Sequence, residues 1–209
     1  MDTDAGLLVL LLAIVADDAD MATQLLTASP QLATASVAQG ATRQNPKDYF
    51  FDAIGHYAYA GDPALHVAAA GHRLEIARRL LAAGADVRAR NRRGAEPLHY
   101  AADGLPGVPF WQPDAQAATV ALLITAGADP NAVDKSGVAP LHRAVRTRSS
   151  GAVNALLEGR AEARRRNASG STPMKLALQT TGRGGSGSPE AKAQQAAIIR
   201  LLEPHNTLR

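Results

Sequence analysis

Apolar residues along the chain follow a helical period that polar turns interrupt at regular intervals. Leu65, Ala68 and Ala69 fall on one face of a short helix, and Ile76, Leu80 and Leu81 form the apolar stripe of a second. The small alanines let two such helices approach closely. Gly84 follows, where a helix commonly stops in a left-handed conformation, and the stretch from Asp86 to Gly94 is polar and turn-rich, with Asn91 and Gly94 as turn residues. One unit therefore reads as helix, tight turn, helix, extended loop. A helix pair of this kind cannot bury both faces alone and needs a neighbour on each side.

Copies of the unit are present in tandem. Ala64-Leu65-His66, Pro97-Leu98-His99 and Pro140-Leu141-His142 are one motif, with Pro173-Met174-Lys175 as a worn fourth copy, at offsets of 33, 43 and 33 residues. Gly84-Ala85-Asp86 recurs as Gly127-Ala128-Asp129 and as Arg160-Ala161-Glu162, at offsets of 43 and 33. The second copy thus holds ten extra residues between its two motifs. Ala13 and Leu25-Leu26 repeat the spacing of Ala68 and Leu80-Leu81, and Ile198, Ile199, Leu201 and Leu202 read as a last outer helix.

Pro97-Leu98-His99, Gly127-Ala128-Asp129-Pro130-Asn131-Ala132 and Asp134-Lys135-Ser136-Gly137 resemble ankyrin repeats. The resemblance is strong over residues 61–178 and weak at both ends. It implies an all-α solenoid of about five stacked helix-turn-helix units with finger loops, two of them degenerate caps. As one domain over 1–209, the chain divides into an N-cap repeat at 5–34, an inserted finger at 35–60, and a repeat at 61–93. A repeat at 94–136 with an insertion at 103–118 follows, then a repeat at 137–169 and a C-cap repeat at 170–203 with a Gly-rich insertion at 179–194. Inner helices are expected near 64–71, 97–103, 140–147 and 173–179, and outer helices near 74–82, 117–125, 152–158 and 191–202, with strand confined to finger hairpins. His72 stands where the family has glycine between its helices, and Arg160 replaces a helix-stop glycine.

Composition agrees with an all-helical class: three Phe, four Tyr and one Trp are few for a β-sandwich core. The absence of cysteine removes disulfides and thiolate metal sites and fits a reducing compartment, so a cytoplasmic location is expected. Leu7 to Val15 is too short to span a bilayer. Asp2 and Asp4 stand before it where a signal peptide carries Lys or Arg, so neither a leader nor a membrane anchor is expected.

Chemistry offers less. His66, His99 and His142 belong to the repeat motif, whose resemblance assigns their imidazoles to backbone hydrogen bonds, and Asp52 with His56 is at most a lone pair on a helical face. No catalytic residue, metal or cofactor is implied. Gly182-Arg183-Gly184-Gly185-Ser186-Gly187-Ser188 lacks the Lys-Ser or Lys-Thr of a phosphate loop and reads as a linker, after which Ser188 caps a helix with Pro189 at its first position. Arginine is the clearest signal. The net charge is only +3, yet Arg88, Arg90, Arg92 and Arg93 crowd one finger, Lys135 repeats the place of Arg92, Arg143 takes the place of Tyr100, and Arg146 follows on the same inner helix. Nearly all the aromatics lie in the first two insertions, among them Tyr57, Tyr59, Phe110 and Trp111. The expected partner surface is therefore Arg90, Arg92, Arg93, Tyr100, Trp111, Lys135, Arg143 and Arg146, with fixed guanidinium forks along a concave strip and aromatic walls. The resemblance implies a non-enzymatic, monomeric scaffold that binds a protein or peptide, acidic by this charge pattern. The alternative is electrostatic binding of nucleic acid or another polyanion, against which stand the small net charge and the lack of a recognisable motif. A more distant alternative is an enzyme with a site in the aromatic insertions.

Overall fold

The computed structural model describes residues 3–42, 44–179 and 188–206. Ten α-helices lie among them: α1 (Thr3–Ala16), α2 (Ala19–Ala28), α3 (Ala64–Ala70), α4 (Leu74–Ala82), α5 (Pro97–Ala101), α6 (Pro113–Thr125), α7 (Pro140–Arg146), α8 (Ser150–Glu158), α9 (Pro173–Ala177) and α10 (Pro189–Asn206). They form a ladder. Consecutive helices pair as α1·α2, α3·α4, α5·α6, α7·α8 and α9·α10. The odd-numbered helices stack in one row and the even-numbered helices in another. The fold is the all-α ankyrin solenoid that the repeats imply. The core runs along its length through Leu10, Leu65, Leu98 and Leu141 of the inner row and Ile76, Leu80, Leu123, Leu156 and Leu202 of the outer row, all essentially fully buried.

Several boundaries differ from expectation. The inner helices end a residue or two sooner. Helix α6 begins at Pro113 rather than near 117, because Pro113 takes the first helical position, where its missing N–H costs nothing. Most of the glycine-rich stretch, residues 182–187, lies outside the described residues, but Ser188 caps α10 as expected: its Oγ accepts from the Ala191 amide at 3.1 Å. Helix α1 leaves Leu8, Val9 and Leu12 exposed, so its outer face is more apolar than that of a polar cap.

Hydrogen bonds at each seam keep the units in step. Asn91, Asp134 and Asn167 occupy the same place in successive fingers, and the side-chain Oδ1 of each accepts from backbone amides two and four residues on. The motif histidines reach from these helices to the next finger. Nε2 of His66 donates to the Ala95 carbonyl at 2.9 Å, that of His99 to Val138 at 3.1 Å, and that of His142 to Ser171 at 3.2 Å. Nδ1 of His99 and His142 accepts from the amides of Glu96 and Ala139. Among the described residues Nδ1 of His66 has no partner, because Pro63, three residues earlier, has no N–H to give. Arg73 closes the amino-terminal seam by donating to the carbonyls of Ile14 and Val15 at the end of α1.

The first insertion is a compact finger. A short turn at 47–49 leads into a two-stranded antiparallel ribbon, β1 (Phe50–Phe51) and β2 (His56–Tyr57), in which Phe50 opposes Tyr57 and a second turn at 52–54 joins the strands. Asp52 and His56 do not share a helical face: Gly55, at φ +59°, reverses the chain between them and sends His56 into β2. A side chain at Gly55 would lie 2.7 Å from Leu105 Cδ1, so the first two insertions lean on each other there.

Left-handed backbone appears at His72 (φ +54°) and Arg160 (φ +68°), the two positions read as glycine substitutes, and also at Asp17 and Arg148. Arg160 is exposed, and its Cβ gains nothing evident in exchange for the strained conformation. Arg160→Gly is expected to stabilise the protein by about 1 kcal/mol; an unchanged or lower urea midpoint would contradict this.

Stability should also depend on pH through the buried imidazoles. Burial holds His56 down to about 3 and His66, His72 and His99 to about 4, against a free value of 6.5. Their contribution is fully present above the free value and is lost as pH falls towards the folded values. Burial raises Asp62 to about 6 and raises Glu96 as well, and these act in the opposite sense, but five imidazoles, with His142 also lowered by burial, outweigh two carboxyls. The expected result is a Tm lower by at least about 5 °C at pH 5 than at pH 7, measured by thermal unfolding followed by circular dichroism.

Candidate functional site

The two insertions and the inner helices enclose a cleft of about 340 Å³. One wall is the β2 segment with Gly55, His56, Tyr57 and Tyr59, and the other is Gly104 to Pro106 with Val108. Tyr100 of α5, Asp103 just beyond it, and Arg143, Arg146 and Thr147 at α7 supply the rest, together with Arg93 from the finger. A second hollow of about 330 Å³ lies beside it and shares Tyr57, Tyr59 and Arg93, with Arg92, Ala41, Thr42 and Pro46 beyond.

The floor of the cleft is a rigid polar network. Asn91 donates through Nδ2 to Asp62 and to the Tyr100 hydroxyl, each at 2.7 Å, and the Tyr59 amide donates to Asp62 Oδ2 at 2.6 Å. Burial pushes both the Tyr100 phenol and the Asp62 carboxyl up. The His56 ring stands edge-on to Tyr100, with centroids 4.6 Å apart. Arg143 lies over the other part of this cluster, its Cζ 5.6 Å from the Tyr100 centroid. Its guanidinium donates to Asp103 Oδ2 at 2.9 Å and to Asp134 Oδ2 at 3.0 Å. Burial opposes the charge on Asp134, yet the Arg143 guanidinium and the Val138 and Ser136 amides hold its carboxyl below the usual range.

These contacts sort the eight residues expected at the partner surface. Arg93, Tyr100, Arg143 and Arg146 meet in the cleft, and Arg92 joins Arg93 at the neighbouring hollow. Tyr100 and Arg143 are buried, at 2% and 8% exposure, so they form the floor and not the open ring and fork that sequence position suggested. Arg143 is already bound to two carboxylates, Asp103 just beyond α5 and Asp134 of the finger that precedes α7. Arg90 is turned back onto Glu96 at 2.9 Å. Lys135 is exposed on the next finger, and its amide donates to the Arg93 carbonyl. Trp111 does not wall this cleft: its Nε1 donates to Gln116, and it lines a separate small hollow with Ile54, His72 and Phe110. His56, Asp103 and Leu105 are site residues that the sequence reading did not select. The one available signal was the register, which sets Asp103 one unit from Arg146 just as it sets Tyr100 one unit from Arg143.

Models of the ankyrin repeat match three overlapping stretches: residues 65–104 and 123–177 match ankyrin repeats in many copies, and residues 93–135 match a single ankyrin repeat. The chain belongs to the ankyrin-repeat family. Ankyrin repeats generally mediate protein–protein interaction, and the family is typically non-enzymatic. No curated protein matches the chain. Among the described residues, no three His, Asp or Glu gather as metal ligands, and no helix is long and apolar enough to cross a membrane.

The double ion pair has a direct energetic test. Arg143→Met strands two largely desolvated carboxylates and is expected to cost about 3 kcal/mol. Adding Asp103→Asn and Asp134→Asn removes the stranded charges and should recover more than half of that loss in urea unfolding. No recovery would mean that shape, not charge, holds Arg143 in place.

Proposed function

We propose that the protein is a non-enzymatic interaction scaffold, an adaptor or inhibitor, that engages an acidic protein or peptide through its finger loops and the adjoining inner-helix face. The observation that carries this reading is the fixed row of exposed cations on successive fingers. The Arg92 amide donates to the Ala60 carbonyl and the Lys135 amide to the Arg93 carbonyl, so backbone bonds hold Arg92, Arg93 and Lys135 in one line. Arg146 is exposed on the inner helix beside them. Cations anchored in this way lose little conformational freedom when they pair with carboxylates. The cleft is complete within one chain, which supports a single copy as the working unit.

The charge-reversed pair Arg92→Glu and Lys135→Glu leaves the buried Arg143 network intact. Against a partner co-purified from the native host, it is expected to weaken binding by at least about tenfold. Unchanged affinity, with circular dichroism unaltered, would remove the fingers from the interface. Titration against salt separates the polyanion alternative, which loses affinity steeply and without regard to sequence.

A further inference from the structure

Two residues that line the cleft each hold a polar atom without a hydrogen-bond partner among the described residues. His56 Nε2 and Arg143 Nε are both buried and unpaired among the described residues. Both groups are held in place from behind: the His56 ring by Tyr100, and Arg143 by Asp103 and Asp134. Oriented, buried and unsatisfied polar groups in a concave site call for a partner there.

At the rim the situation is reversed. Arg93 is exposed, and its guanidinium lies over the Tyr59 ring at 5.0 Å. Among the described residues it makes no side-chain hydrogen bond or ion pair, so its planar fork is positioned but uncommitted. Between rim and floor, Tyr57 and Tyr59 stand on one side and Leu105, Pro106 and Val108 on the other, within a lining that also holds polar groups.

We propose that this cleft binds a small aromatic monocarboxylate that carries a hydrogen-bonding group opposite its acid. The carboxylate meets the Arg93 fork, the ring lies between these two sides, and the far group reaches His56 and Arg143. The inference deepens the preceding reading of the inner-helix face as the binding surface. A monoanion fits better than a phosphate, because the cations Arg93, Arg143 and Arg146 stand against Asp103 and Asp134, both bound to Arg143, which leaves a balance of one positive charge. About 340 Å³ is at the small end for ligand pockets and suits one substituted ring rather than a nucleotide. Two sources share this chemistry: a free aryl acid, and the aromatic carboxyl-terminal residue of a peptide.

Isothermal titration of the full chain with 4-hydroxyphenylacetate tests the assignment, and saturable one-to-one binding is expected. Phenylacetate, which lacks the far hydroxyl, should bind about fivefold more weakly, and 4-hydroxyphenylacetamide, which lacks the charge, at least about tenfold. Arg93→Met should also weaken the acid about tenfold, with Arg93→Lys in between because it keeps charge without the fork. A blocked tripeptide ending in tyrosine with a free carboxylate identifies the source. Binding at least as tight as the free acid assigns a protein tail, and failure to bind where the acid binds assigns a free acid. Capture of the co-purified partner by the finger pair Arg92→Glu and Lys135→Glu is read separately from acid binding by the unaltered chain: saturable acid binding with capture unchanged in the pair upholds the cleft and sinks the scaffold interface alone. No saturable heat at about 5 mM acid, equal binding of acid and amide, or an Arg93→Met chain that is folded and binds as before, would overturn the cleft assignment.

Discussion

A neutral imidazole that donates through Nε2 to a carbonyl of the following finger, while accepting through Nδ1 from an amide of its own loop, is the contact on which the stack depends. It satisfies two buried backbone groups at once, and it can do so only as one tautomer. His99 and His142 make both bonds. The finger turns, closed by Asn91, Asp134 and Asn167, present their carbonyls at the right height only because every unit has the same length from turn to helix. The spacing of the sequence is thus a geometric requirement, and extra residues are tolerated only where neither the histidine nor the finger is displaced.

That requirement explains which parts of the molecule can be read without coordinates. The paired motifs at matching offsets placed the inner and outer helices to within a few residues, and they marked His72 and Arg160 as residues forced into left-handed turns. The insertions were legible as departures from register and as the home of the aromatics. Their internal shape was not, because it depends on contacts between distant segments. Gly55 turning beneath Leu105 and His56 meeting Tyr100 each join residues that periodicity does not relate.

The candidate site shows the same division. Register correctly set Arg143 beside Tyr100 as neighbours one unit apart, and the two do stack. Register could not say that Arg143 is buried, since burial follows from its contacts with Asp103 and Asp134 and from the insertions closing above. Guanidiniums that look alike in sequence end in unlike places: Arg90 is folded onto Glu96, Arg143 belongs to the floor, and Arg93 is exposed over the Tyr59 ring. Counting arginines per loop measures the charge available to an interface, whereas the acids that each one meets determine how much of it is spent internally.

The compact finger formed by the first insertion has a further consequence. It packs its ribbon onto the inner-helix face, with His56 against Tyr100 and Tyr59 under Arg93. The scaffold therefore carries a tethered competitor for part of its own groove. A covalently linked segment acts at an effective concentration in the millimolar range or above, so a long partner chain must either displace it or accept the shortened groove that remains. On the proposed reading, selectivity rests as much on what the ribbon turns away as on what the cations attract.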